Sequence, residues 1–210
     1  MSVQRQPDRD AFVADGRALL QERVAASNRT GDAYFAHYAH DIAACAAAMA
    51  DRFFTGGMLL IFGSGRHATD AQHNSVEFVH PVLPGCRALP ALSLANDIAT
   101  VTGVLQGDAA PDVYAHQLRV LGRPGDIALA LAHAPLHVSI TRGLTAATSE
   151  GMLSIALTSG DGDGGEQADF VFHAKCADRD AAHEMHLATY HMLWELVHIV
   201  LNHRGIGTVS

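Results

Sequence analysis

Five short apolar runs follow Gly56-Gly57, and they constrain the fold more than any other feature: MLLIFG (58–63), RALPALSL (87–94), DIALALA (126–132), MLSIALTS (152–159) and ADFVFHA (168–174). Most lack the apolar/polar alternation of a strand with one wet face, which is the pattern of strands covered on both sides in a parallel sheet. Helical periodicity fills the intervals at about 67–80, 97–106, 111–121 and 136–149, with a longer run at about 178–203. Five strands with intervening helices predict an α/β three-layer sandwich around a five-stranded parallel sheet. In such folds ligands bind beyond the C-terminal ends of the strands. The loops after residues 63, 94, 132 and 159 are therefore where function is expected.

Ahead of the first strand, Phe12, Val13, Leu19, Leu20 and Val24 recur at helical spacing over residues 10–27, and a second helical run spans 32–54. Two N-terminal helices are predicted. The second carries Ala44, Ala46, Ala47, Ala48 and Ala50, small side chains that let another helix approach closely, within the domain or between subunits. Residues 1–56 are accordingly read as packing and oligomerisation helices, and 57–204 as the ligand-binding part of one structural domain. A length of 210 residues with 49% hydrophobic side chains supports one continuous core. GDGDGGEQ (160–167) reads as a solvated loop.

The formal charge of −8 and the lack of any Lys/Arg run argue against nucleic acid and anionic membranes as partners. Cys45, Cys86 and Cys176 are widely spaced and form no paired framework, which points to a reducing compartment. The charged N-terminus has no apolar leader core, so a cytoplasmic location is expected.

Histidine is abundant, with 14 copies, and it is both a metal ligand and the side chain that titrates near neutrality. His73 and Glu77 are four apart on a predicted helix, about 6 Å from each other on one face, which suits two ligands of one ion. On the last helix, spacing alone would pair His183 with His186, because residues 183 and 191 are separated by roughly 12 Å of helix rise. A histidine-decorated packing helix is the structural alternative.

Larger patterns join these pieces. Gly63-Ser64-Gly65, Asp70-Ala71 and His73…Glu77 within IFGSGRHATDAQHNSVEF (61–78), then SLANDIATVTGVLQGD (93–108), RPGDIALALA (123–132) and ADRDAAHEMHLATYHMLWELVH (177–198), stand in one collinear order. Together they resemble the sugar isomerase (SIS) family, closest to the phosphoheptose isomerases. The resemblance implies a flavodoxin-like SIS fold, a homotetramer, and active sites lined by more than one subunit. It implies a metal site at His73, Glu77, His183 and His191, with His186 and Glu184 as supporting or alternative groups. The family has Gln at position 183, and an imidazole there favours a zinc-like ion, about one per chain. By the same resemblance Glu77 is the catalytic base and His191 the acid of an aldose–ketose isomerisation.

The ligand-binding residues implied are Ser64, Gly65, Arg66, Asp97, His133 and His137. The family holds its sugar phosphate with a hydroxyl-rich loop after the third strand. Here that loop reads Ala132-His133-Ala134-Pro135-Leu136-His137, with no hydroxyl before Ser139. Counting lost donors predicts weak binding and slow turnover of sedoheptulose 7-phosphate unless Arg66 takes over the anion as a bidentate partner. His133 and His137 either extend the metal cluster or cap the loop. Two functions stay open: a metal-dependent isomerase of a carbohydrate-like metabolite, and a non-catalytic SIS-fold adaptor that binds metal or a partner protein.

Overall fold

A computed structural model describes residues 9–205 apart from 108, 163 and 177, so the first eight residues of the charged N-terminus lie outside the described part. The elements run α1 (Arg9–Phe54), β1 (Leu59–Gly63), α2 (Arg66–Val79), β2 (Ala91–Ser93), α3 (Ile98–Leu105), a 3-10 turn (Ala110–Asp112) and α4 (Val113–Leu121). They continue with β3 (Ile127–His133), α5 (Val138–Ser149), β4 (Leu153–Ser159), β5 (Phe170–Ala174) and α6 (Arg179–His203). The sheet is parallel throughout in the order β2-β1-β3-β4-β5. Connectivity reverses between β1 and β3, which puts the ligand crevice at the loops after Gly63 and His133.

Successive side chains of each strand go to opposite faces. Leu59, Ile61, Leu129, Leu131, Ile155 and Leu157 pack under α1, α2 and α6, while Leu60, Phe62, Ala128, Ala130 and Ala156 pack against α4 and α5. Both faces are buried, and this accounts for the missing alternation in the sequence. The small alanines on the second face let α4 and α5 lie close to the sheet.

The two predicted N-terminal helices form one continuous helix of 46 residues. The polar stretch around 27–32 looks like a break but is a seam against α6. Ser27 donates to Glu184, Arg23 pairs with Asp178 at 3.3 Å, and Gly31 is buried beside Met185. Thr30 Oγ1 also returns its proton to the Ala26 carbonyl at 3.1 Å, as in an uninterrupted helix. The alanine stretch faces inward, with Ala46 and Ala50 buried in the core. The exposed apolar surface of α1 is carried by Phe12, Val13, Leu19, Leu20 and Val24. Among the described residues no helix is long and apolar enough to cross a membrane.

Candidate active site

The site begins where β1 ends. A Cβ on Gly63 would stand 2.7 Å from His67 Cβ and 2.8 Å from the Leu131 carbonyl oxygen, so only glycine lets the first turn of α2 fold back over the strand. Gly65, at φ 61°, supplies the left-handed turn into α2. The helix that follows lays its buried face, with Asp70, Ala71, Asn74 and Phe78, on the sheet and against α6.

About two and three turns along α2, His73 Nε2 lies 3.2 Å from Glu77 Oε1. The other nitrogen of the ring, Nδ1, is 3.0 Å from the Tyr190 hydroxyl on α6. The His191 ring stands 5.3 Å from that of His73, and Trp194 Nε1 donates to the Glu77 carbonyl at 2.8 Å. One ligand atom from each of His73, Glu77 and His191 falls within a 4.8 Å sphere of mutual distances. Burial pushes the His191 imidazole below its ordinary value, the nearby His73 adds to that, and the Glu77 carboxylate works against it. That balance favours the neutral form of the ring.

His183 belongs to a different group. Its Nδ1 stands 3.3 Å from Asp70 Oδ2, and the same oxygen is 3.3 Å from His67 Nδ1. The four residues that the resemblance gathers around one ion are thus divided, with His73, Glu77 and His191 together and His183 about two helical turns nearer the strand ends. Burial pushes His183 down, opposed by Asp70, and pushes the fully buried His186 down to about 4.

Beyond the C-terminal ends of β1, β3 and β4 lies a crevice of about 230 Å³ lined by Arg66, His67, His133, Ser159, Arg179 and His183. His133 Nδ1 is 2.9 Å from Ser159 Oγ, and burial with the Arg179 charge holds His133 below its usual range. Arg66 also reaches Asp180 at 3.1 Å across exposed surface. A larger cavity of about 520 Å³, with Arg29, His37, His173 and Lys175 in its lining, lies between α1 and β5, away from Glu77.

The remaining sequence candidates take local roles. Ser64 Oγ is 3.0 Å from the Tyr114 hydroxyl, which itself donates to the Gly63 carbonyl at 2.6 Å. Asp97 caps α3 by accepting from Ala99 N and Thr100 N, and its hydrogen bonds with Thr100 hold its carboxyl below the usual range. His137 caps α5 by accepting from Ser139 N. It shares no helix face with His133, which closes strand β3. His67, Ser159 and Arg179 are the lining residues absent from the sequence candidates. The position of Arg179 at the start of the helix after the last strand was the available signal.

A doubly wound parallel sheet, with a His–Glu pair on its first crossover helix and a histidine-bearing terminal helix packed beside it, is the arrangement that the resemblance to the sugar isomerase (SIS) family implied. No protein-family profile matches the chain. It is, however, 33% identical over 147 residues to the phosphoheptose isomerase of Thermodesulfovibrio yellowstonii, covering 70% of this chain and 73% of the relative. Its identity to the phosphoheptose isomerase of Chlorobaculum tepidum is 32% over 185 residues, or 85% and 88% of the two chains. The solved phosphoheptose isomerase of Neisseria gonorrhoeae superposes with TM-score 0.73 at 25% identity, covering 85% of this chain and 98% of that one. That of Francisella tularensis shares the fold with TM-score 0.76 at 24% identity, covering 86% and 96%. The chain belongs to the phosphoheptose isomerase family.

Proposed function

We propose that the protein is an aldose–ketose isomerase of a phosphorylated sugar, and the observation that carries this reading is the Glu77–His73–His191 constellation on facing helices. Glu77 takes the proton from the carbon next to the substrate carbonyl. His191, whose neutral form is favoured by burial, moves a proton between the two oxygens of the resulting enediol. His73, fixed by Tyr190, orients the Glu77 carboxylate.

The donor set also fits a divalent ion. The 3.2 Å separation of His73 Nε2 and Glu77 Oε1 matches adjacent ligands of a tetrahedral site with bonds of about 2.0–2.1 Å. His73, Glu77 and His191 would hold such an ion, of the zinc class, whose chemistry when bound is to polarise the sugar oxygens.

For the phosphate we propose that arginine replaces hydroxyls. Arg66 and Arg179 flank the crevice, and Ser159 supplies a hydroxyl that the loop at 132–137 lacks. Charge-assisted hydrogen bonds to arginine are roughly twice as strong as neutral ones. Two arginines therefore offset the donors that the family's loop would have provided. A homotetramer in the cytoplasm is part of the same reading. The assembly, though not the location, is supported by the exposed apolar stripe of α1 and by a His73 side chain that is 41% exposed in the single chain.

The test is turnover of sedoheptulose 7-phosphate in a coupled assay. Wild type is expected to be active, Glu77→Gln to lose at least about 100-fold, and Arg66→Ala and Arg179→Ala to raise KM. An inert wild type that still binds metal or a partner protein would favour the adaptor reading.

A further inference from the structure

The seam between α2 and α6 holds polar groups that the proton-transfer constellation does not use. Among the described residues, the buried side-chain nitrogen and oxygen atoms without a hydrogen-bond partner belong to Asn74, His183 and His186, all on these two helices. His186 is 0% exposed and both its ring nitrogens are unpartnered. The main chain at Thr158 approaches its ring without closing a hydrogen bond. That ring lies 5.9 Å from the His67 ring, and His183 and Asp70 are near enough to act on its charge. Each buried polar group left unpaired costs about 1–3 kcal/mol, so this cluster calls for a binding partner.

At the crevice end of the seam, His67 Nδ1 and His183 Nδ1 each stand 3.3 Å from one Asp70 oxygen. His183 Nδ1 is off the direction that a hydrogen bond requires and remains an unpartnered buried atom. The spacing is nevertheless the edge of a tetrahedron, since metal bonds of about 2.0–2.1 Å put neighbouring ligand atoms about 3.3 Å apart. All three ligand atoms lie within 4.8 Å of one another.

We propose that His67, Asp70 and His183 form a second divalent-cation site, separate from His73, Glu77 and His191, at the floor of the arginine-flanked crevice. Two imidazoles and one carboxylate suit zinc, cobalt or iron(II) better than magnesium or calcium. Three protein ligands leave a fourth position open, as in catalytic rather than structural zinc sites. His67 and His183 line the crevice, so that position opens toward Arg66 and Arg179, where an anionic oxygen would complete the coordination. The inference rests on this geometry and not on the isomerase reading.

The experiment is a titration of chelator-treated protein with Zn²⁺ and Co²⁺. Bound ions are counted by native mass spectrometry, and Co²⁺ geometry is read from visible absorption. His67→Gln and Asp70→Asn are each expected to lose one ion, or bind it at least about 100-fold more weakly, while keeping the ion that His73→Gln removes. His73→Gln should retain an ion with the intense absorption of tetrahedral Co²⁺. Wild-type stoichiometry and affinity in His67→Gln and Asp70→Asn would overturn the proposal. So would a His73→Gln protein that binds no ion, because both groups would then serve a single site. The His73→Gln result decides the matter even if a variant at position 67 or 70 fails to fold.

Discussion

Glu77 Oε1 is 3.2 Å from His73 Nε2, and the Tyr190 hydroxyl fixes the opposite nitrogen of that ring at 3.0 Å. Tyr190→Phe removes that tether without opening a cavity, so it is expected to cost about 1 kcal/mol in urea unfolding and to lower kcat more than it raises KM. Unchanged kcat in a folded Tyr190→Phe protein would remove Tyr190 from the positioning role. The His73–Glu77 pair was legible in the sequence because four residues on a helix always share a face. His191 came only from the resemblance, since roughly 12 Å of helix rise separates it from His183. That rise is also why His183 sits with Asp70 and not with His191. His67, Asp70 and His183 meet only because α2 packs against α6, and no spacing within either segment encodes that contact. Arg179 carried one signal, its position at the start of the helix after the last strand, but its place at the crevice depends on how that helix packs.

Among the elements, α1 departs most from its sequence pattern. Asn28, Arg29, Thr30 and Gly31 fall between the two predicted helices, yet polar partners on α6 hold the stretch helical. Gly31 is not among the glycines with positive φ, and a Cβ there would meet only the flexible Met185 side chain, at 3.4 Å. Gly31→Ala is therefore expected to stabilise the protein by about 0.5–1 kcal/mol in chemical denaturation. A loss of stability would mean that the helix breaks there. At the start of α6, Asp178 caps the helix, and the main-chain amides of Asp180 and Ala181, followed by Arg23, hold its carboxyl below the ordinary 3.8. A folded value below the unfolded one means that stabilisation is complete above 3.8 and disappears as pH falls through the folded value. Asp178→Ala should melt lower than wild type at pH 7, and the gap should close below about pH 4. A constant gap across that range would mean that Asp178 acts through something other than its charge. Strands β1, β3 and β4 were legible to within a residue and β5 to within two, whereas only the end of the run at 87–94 forms β2; five apolar segments without alternation leave few other folds available.

At the scale of the whole molecule, α1 presents Phe12, Val13, Leu19, Leu20 and Val24 to solvent, a stripe that a single chain does not cover. This stripe is the surface proposed for self-association, and a homotetramer would bury it. Native mass measurement should find four chains in wild type and smaller species in Leu20→Glu with Val24→Glu. A wild-type monomer at micromolar concentration would contradict the assembly. The alanine stretch at 44–50 was open in the sequence to packing within the domain or between subunits, and Ala46 and Ala50 pack into the chain's own core. The central claim is that Glu77 moves a proton on a phosphorylated sugar held at the arginine-flanked crevice. Solvent-deuterium exchange into sedoheptulose 7-phosphate, followed by proton NMR at the carbons beside the carbonyl, tests it without requiring net turnover. Exchange is expected with wild type, with a loss of at least about 100-fold in Glu77→Gln and retained but weaker-binding exchange in Arg66→Ala. Exchange that persists at the wild-type rate in Glu77→Gln, or that never occurs in wild type, would contradict it.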